Sequence, residues 1–361
     1  MRTLLNTVGT SILTHWNDEV QGLSDENRRR IVAAISGLPA TDRRLGAELS
    51  SIHSIAAQEE ITPGDRLYFL VSDTAKGRFV GRVLNEVVDT WGYRTTNVQI
   101  IRNLQGEDPR AFEQGLRNLV RKISELYRTY QRKGEEVLLN ATGGYKPQIS
   151  FAGIIGQVFA IPVFYQFEDF PRAIKLPPLP VSFDLNDWLG YRHVFEALEG
   201  ENGGELLHVN DSRLKELPQK LRVLFDQSQG FVTLNAMGEL YHQGFKERFA
   251  AAKALLLPRD SGILPENKKI QHEDKNYGKH RGLKSYLERI GRKSYVTWIQ
   301  TVRYLPDKPA QARFRADPAS TDRLKGTFWD GAVAVEFYIY LTEDDARKAA
   351  AAAADLAEEF V

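Results

Sequence analysis

Residues 137–148 leave the chain few options. Val137, Leu138 and Leu139 form a short apolar run, the pattern of a strand covered on both faces. The run breaks at Asn140 into a polar turn containing Gly143 and Gly144, which let a ligand approach the main chain closely. Ile149 to Phe159 then suit a core helix. The unpaired amides at such a helix start favour an anion, and Lys146 adds a positive charge there. A Gly-Gly pair alone reads as a tight turn. Thr142, Gly143, Gly144 and Lys146 together at a strand end read as a phosphate site.

The preceding chain repeats this strand-to-helix plan. Thr3–Leu5 is a strand entering Asn6, Thr7, Val8, Gly9, Thr10 and Ser11, and helical patterning follows through Ile35. Leu67–Val71 is a second strand, running into Ser72, Asp73 and Thr74. A helix carries Val80, Val83, Leu84, Val87 and Val88 on one side. Asn97–Ile101 is a third strand, Pro109–Tyr130 a long amphipathic helix, and Pro162–Phe167 a fifth strand. This alternation predicts a parallel sheet with helices on both faces and a ligand beyond the carboxyl ends of the strands. No G-x-G-x-x-G follows the first strand, which disfavours an ordinary dinucleotide cofactor.

The pairing of Asn6–Ser11 with Asn140–Lys146 resembles the CARF domain, the CRISPR-associated Rossmann fold, over roughly the first half of the chain. The resemblance implies a homodimer that binds a cyclic oligoadenylate, with cyclic tetra-adenylate the expected ring, across its two-fold axis. It implies Thr10 and Ser11 on one side of the ring and Thr142, Gly143, Gly144 and Lys146 on its phosphates. Asn6, Gly9, Ser72, Asp73 and Thr74 complete the expected ligand-binding set. Some CARF domains also cleave their ligand slowly, for which Ser11 and Lys146 are the candidates.

At 361 residues the chain is too long for one ordinary core. Lys175–Pro180 is stiff and forms neither a helix nor a central strand. Beyond it, Asp187–Leu198 patterns as a helix, Leu221–Phe225 as the start of another, and Gly230–Leu234 as a short strand. Helical patterning returns from Gly238 to Leu257. Helices followed by a small strand pair resemble a winged helix, a fold that often binds DNA. Without a dense basic stripe, the segment is expected to dimerise and to transmit the ligand signal. The expected division is therefore residues 1–182, 183–262 and 263–361.

The net charge of +1 conceals an uneven distribution. From Lys268 to Lys325 there are fifteen Lys/Arg against six Asp/Glu; from Gly326 onward there are two against eight. A basic module of this kind suits a polyanionic partner. Its elements read as a helix after a basic stretch, a strand over Ser294–Arg303 with Val296, Trp298 and Val302 on one face, and a hairpin turn at Asp330-Gly331. Arg313 and Arg315 are expected on one sheet face. A buried strand follows over Val335–Leu341, and Thr342 with Asp345 resembles a helix cap before an alanine-rich helix. By size, charge and order this α+β segment resembles the RelE-like toxins, which cut messenger RNA on the ribosome without a catalytic metal. The resemblance implies Lys, Arg, Tyr or His in catalysis: here Lys275, Lys279, His280, Arg281, Lys284, Arg303, Arg313 and Arg315. His280 suits a base or an acid, because its ordinary pKa lies near neutrality. Two other nuclease patterns are disfavoured. No Arg stands four to six residues before any histidine of the C-terminal half, and Glu336-Phe337-Tyr338 lacks the lysine that a metal-dependent restriction-like site needs.

The expectation is a type III CRISPR ancillary effector: an endoribonuclease licensed by cyclic oligoadenylate, with ribosome and mRNA as partners, and no metal or other cofactor. The competing expectation is a non-enzymatic CARF and winged-helix regulator that binds DNA. Zero cysteines suit a cytoplasmic setting, and no apolar run is long enough to span a bilayer.

Overall fold

The structure, a computed structural model, describes residues 1–16, 22–93, 95–106, 108–167, 170–180, 184–199, 206–273, 280–305, 314–331 and 333–360. They pack into two compact units. The first comprises residues 1–181, 223–226 and 234–244; the second comprises 182–222, 227–233 and 245–361.

The first unit contains β1 (Arg2–Thr7), α1 (Ile12–His15), α2 (Asp25–Ser36), α3 (Gly46–Ala57), β2 (Arg66–Ser72), α4 (Ala75–Thr90), β3 (Thr95–Ile101), α5 (Pro109–Gln131), β4 (Glu136–Asn140), α6 (Lys146–Phe159), β5 (Val163–Tyr165) and β6 (Ile174–Leu176). The sheet order is β3-β2-β1-β4-β5-β6. The first five strands are parallel, and β6 is an antiparallel edge. Sequence patterning missed β6. Its three residues are exposed and lead directly into Pro177, a sequence that only an edge strand tolerates.

The two faces of this sheet have separate cores. Leu4, Phe69 and Leu138 point to α2, α3 and α4; Leu5, Leu70 and Leu139 point to α5 and α6. Alternate residues of each strand are thus buried on opposite sides, which is why the strands read as continuous apolar runs. Strand β1 lies between β2 and β4, so the chain reverses its winding between β1 and β4. The carboxyl ends of these two strands flank the crevice where open α/β sheets take ligands.

The second unit contains α7 (Asn186–Ala197), β7 (Leu207–His208), α8 (Ser212–Lys215) and α9 (Gln219–Arg222), and then shares β8 (Phe225–Ser228), β9 (Phe231–Leu234) and α10 (Ala236–Leu256) with the first. The small sheet runs β7-β9-β8. Phe225 belongs to a strand, not to the helix expected at Leu221–Phe225. The left-handed pair Gln229 (φ 51°) and Gly230 (φ 82°) makes the two-residue hairpin that this requires.

The remainder is β10 (Ile270–His272), α11 (Leu283–Gly291), β11 (Val296–Leu305), β12 (Phe314–Ala316), β13 (Arg323–Trp329), β14 (Ala334–Leu341) and α12 (Ala346–Glu359). The sheet order is β10-β11-β14-β13-β12. Helices α11 and α12 pack on one face, over Ile299, Leu324, Val335, Phe337 and Ile339. Asp345 alone caps α12, accepting from the Arg347 and Lys348 amides at 2.8 and 3.2 Å. Thr342, the other half of the expected cap, donates to the Arg259 carbonyl instead.

Strand β11 departs from the expected period. Its register against β14 shifts between Val296 and Trp298 and again between Thr301 and Arg303. Val296 therefore faces the core, and Trp298 sits on the opposite face, paired with Tyr340. A bulge inserts one residue and re-aims everything after it.

Candidate functional site

In the first unit the site grows from the ends of β1 and β4. Asn6 and Asn140 are paired in register and almost fully buried. Asn140 donates to Asn6 Oδ1 at 2.9 Å and to Ser51 Oγ at 2.8 Å, and accepts from the Thr142 hydroxyl at 2.7 Å. Thr142 in turn accepts from the Gln166 amide at 3.1 Å. Asn6 thus lies beneath the rim, with its own amide spent on the Leu4 and Tyr68 carbonyls. A buried network with every member bonded rigidifies what it supports.

That support shapes the turn. Thr7 donates to the Gly143 carbonyl at 2.5 Å, and a trans peptide directs the Gly144 N–H the opposite way. Gly144 has φ 117°, a conformation open to glycine, and leads into α6. The amides of Gly143, Gly144 and Lys146 make no hydrogen bond among the described residues. Lys146 is exposed and its ammonium has no partner among them. It opens α6 where the helix dipole opposes a cation, so this charge does not serve the helix.

Opposite stand Gly9, Thr10 and exposed Ser11. Ser11 and Thr142 line a cavity of about 210 Å³, together with His15, Arg43, Gln166 and Phe167. Residues 166–167 were expected within the fifth strand but lie beyond β5, and residues 15 and 43 gave no signal in the sequence. Ser72, Asp73 and Thr74 have other duties. Thr74 accepts from the Gly77 amide at 3.0 Å to cap α4, Ser72 bonds Thr74 at 2.8 Å, and Asp73 accepts from the Asn103 amide at 3.0 Å. Glu48 of α3 was also missed. It is 1% exposed and accepts from the Gly9 amide at 2.7 Å, and burial pushes its carboxyl up from the usual range.

In the second unit, register defines an open face on the sheet opposite α11 and α12. Trp298, Gln300, Arg303, Arg323, Lys325, Glu336, Tyr338 and Tyr340 share it. Trp298 stacks on Tyr340 with centroids 3.9 Å apart, and Arg323 lies over Tyr338 at 4.2 Å. Glu336 is 5% exposed; Arg303 Nε donates to it at 3.1 Å and Lys325 Nζ lies 3.9 Å away. Cations alternating with aromatic rings suit a single-stranded nucleic acid, whose phosphates and bases both find partners. Only Arg303 of this set was anticipated. The alternation of Tyr338 and Tyr340 with Phe337 and Ile339 was the readable signal.

At the end of this sheet His280 Nδ1 pairs with Asp330 Oδ2 at 2.9 Å, and the imidazole stacks on Tyr304 at 4.8 Å. Asp330 also accepts from the Val333 amide at 2.8 Å, so the hairpin turn holds it. A carboxylate on Nδ1 sets the ring's orientation and leaves Nε2 for proton transfer. The other anticipated residues are dispersed. Arg281 is exposed. Lys284 pairs loosely with Glu288 at 3.9 Å beside a cleft containing Lys268, Lys269 and Arg292. Arg315 lines a cavity of about 440 Å³ with Arg192, His193 and Glu216; burial, with Arg213 and Arg315 nearby, pulls His193 down to about 4. Lys275, Lys279 and Arg313 lie outside the described residues.

The first unit thus has the form of a largely parallel α/β domain with unbonded turn amides and an exposed lysine at its topological switch point. Residues 43–179, which include the Asn140–Lys146 rim, match the family described as CRISPR-associated protein (Cas_APE2256). Among solved structures, the chain is similar to protein VC1899 from Vibrio cholerae at 12% identity and a TM-score of 0.28, covering 94% of this chain and 77% of that one. It is similar to Can2 from Sulfobacillus thermosulfidooxidans, in complex with cyclic tetra-adenylate, at 12% identity and a TM-score of 0.26, covering 81% and 87%. At such scores neither likeness carries the fold or the site of this chain. Among the described residues no cluster of metal-ligating side chains occurs, and no helix is long and apolar enough to cross a membrane.

Proposed function

We propose that this chain is a type III CRISPR ancillary effector in which a CARF-type sensor for cyclic oligoadenylate governs a RelE-like endoribonuclease acting on ribosome-bound mRNA. The observation that carries the reading is the rim: unbonded amides and an unpartnered lysine after β4, within a stretch similar to a CRISPR-associated family, facing the Thr10–Ser11 loop. A ring of phosphodiesters suits such donors. In a homodimer, two rims related by a two-fold axis would meet a ring of matching symmetry, here cyclic tetra-adenylate.

The proposed division is residues 1–182, 183–262 and 263–361. For the middle part, the order α7-β7-α8-α9-β8-β9 with sheet order β7-β9-β8 supports the winged-helix reading. For the last part, support comes from the antiparallel sheet, its cationic and aromatic face, and the His280–Asp330 pair. RNA cleavage would proceed by attack of a 2′-hydroxyl on the adjacent phosphorus. The P–O2′ bond forms and the P–O5′ bond breaks, giving a cyclic phosphate and a 5′-hydroxyl. His280 Nε2 takes the 2′ proton, Asp330 holds the ring, and the departing oxygen takes a proton from solvent. Arg303 and Lys325, on the opposite face of the sheet from the His280–Tyr304 stack, would hold the RNA backbone and not the reacting phosphate. Slow scission of the ring itself, at Ser11 and Lys146, belongs to the same proposal.

The winged-helix order also favours a second reading, a DNA-binding regulator whose basic face only grips nucleic acid. Incubation with synthetic cyclic adenylates and either naked mRNA or translating ribosomes separates the two. Cleavage that requires both ring and ribosome supports the effector. Ring-dependent DNA binding without cleavage supports the regulator. Absence of heat release and thermal shift with every ring size defeats both.

A further inference from the structure

One buried side chain touches both halves of the rim, whose backbones also meet directly at Gly9 and Gly144. Glu48 enters from the first turn of α3 and ends between the Gly9 loop and the Gly143–Gly144 turn. Its Oε1 accepts from the Gly9 amide at 2.7 Å. A Cβ on Gly143 would lie 2.1, 2.6 and 2.7 Å from Oε1, Cδ and Cγ of Glu48, and these are its three nearest atoms. A Cβ on Gly9 would meet the Gly144 nitrogen at 3.0 Å and Glu48 Oε1 at 3.6 Å. One turn further along the same helix face, Ser51 accepts from Asn140, the residue that anchors the other side of the rim. Helix α3 therefore grips both strand ends, and Glu48 occupies the volume that a side chain at position 143 would need.

The remaining oxygen gives a second reason to look beyond packing. Glu48 Oε2 is buried without a hydrogen-bond partner among the described residues. A carboxylate oxygen buried without a protein partner is costly, and burial drives this group toward its neutral form. Solvation therefore does not account for a glutamate here; an apolar residue would fill the space at less cost. What an apolar residue lacks is the acceptor for the Gly9 amide.

We propose that Glu48 is the positioning residue of the anion site: it tethers the Gly9 amide and packs against Gly143, and so fixes the Gly9 loop on the Gly143–Gly144 turn and the direction of the turn's amides. The inference rests on the sensor reading for the ligand's identity, but its geometric core can be tested without any ligand. The Gly143→Ala variant should lose melting temperature, since the new methyl and the carboxyl cannot share one volume. The double variant Gly143→Ala with Glu48→Ala should recover most of that loss, because the second change vacates the space. The Gly9 amide should exchange with solvent faster in Glu48→Ala and remain protected in Glu48→Gln, which keeps an acceptor in nearly the same shape. Cyclic tetra-adenylate affinity should fall about tenfold in Glu48→Ala, the scale of one misplaced hydrogen bond, and by less in Glu48→Gln.

Additive losses in the double variant, with Gly9 exchange unchanged in Glu48→Ala, would overturn the proposal. If the Gly143–Glu48 coupling and the Gly9 protection appear but no cyclic adenylate binds the wild-type chain, the positioning role stands and the sensor reading falls. Equal loss of affinity in Glu48→Gln and Glu48→Ala would overturn the proposal from the ligand side, since shape and acceptor would then not matter.

Discussion

The glycine rim of the parallel sheet and the cationic face of the antiparallel sheet are built on opposite plans. The rim offers mainly backbone amides, and its side chains mostly work underneath, as Asn6, Asn140, Ser51 and Glu48 do. The face offers side chains, and its backbone is spent on strand pairing. A backbone site has its geometry set by buried polar bonds and by positions that accept only glycine. A side-chain site has its geometry set by strand register. Damage should therefore look different in each: loss of support deforms the rim, whereas loss of one projecting group on the face removes a single function.

The largest effect tests whether chemistry resides in the second unit. His280→Ala is expected to lower single-turnover cleavage on ribosomes by about 10²–10⁴, the range of a lost acid–base group. Asp330→Asn should lower it less while leaving the hairpin folded. Wild-type rates in both would move proton transfer to another group.

A matched pair of truncations addresses the contrast itself. Asn140→Ala strands Asn6, Ser51 and Thr142 and should cost about 1–3 kcal/mol in urea unfolding, with ligand binding lost alongside. Arg303→Ala removes a largely exposed guanidinium but leaves the buried Glu336 to Lys325 alone, so it should cost about 1 kcal/mol, less than Asn140→Ala. Its effect should appear as a shallower salt dependence of RNA binding, by about one unit of slope. Equal stability costs in the two variants would erase the distinction drawn here.

The smallest effect is the most discriminating in sign. Lys146 opposes the dipole of the helix it opens, so Lys146→Ala should leave the free protein unchanged or more stable by a few tenths of a kcal/mol. The same variant should bind cyclic tetra-adenylate about tenfold more weakly, for want of one charge-assisted bond. A variant with lowered stability and unchanged affinity would make Lys146 a structural residue.

The parallel core was legible because its strands are buried on both faces and its helices repeat at the expected spacing. Leu67–Val71 and Val137–Leu139 could hardly be read otherwise, and Gly143-Gly144 before Lys146 marked the turn between β4 and α6. Glu48 carried no such signal, since a glutamate in a first helical turn reads as an ordinary solvated residue. Its burial arises only when α3 is laid against two strand ends that lie on either side of it in the chain, those of β1 and β4. Likewise nothing in the local pattern marked Thr74 as the cap of the helix that begins at Ala75 and as the partner of Ser72.

Local pattern by itself determined the buried strands of the first sheet, their parallel order and the glycine turn, because hydrophobic period and backbone freedom act over a few residues; it missed the exposed edge strand β6 and the strand at Phe225. Tertiary structure alone decided which polar groups converge. In β11, two register shifts turn Trp298 and Arg303 onto the same face as Tyr340 and Glu336. Pairing with β14 imposes those shifts, and the period-two reading of β11 carried no trace of them. A hydrogen-bonded partner strand sets where each side chain points, and that partner lies outside the reach of any local pattern.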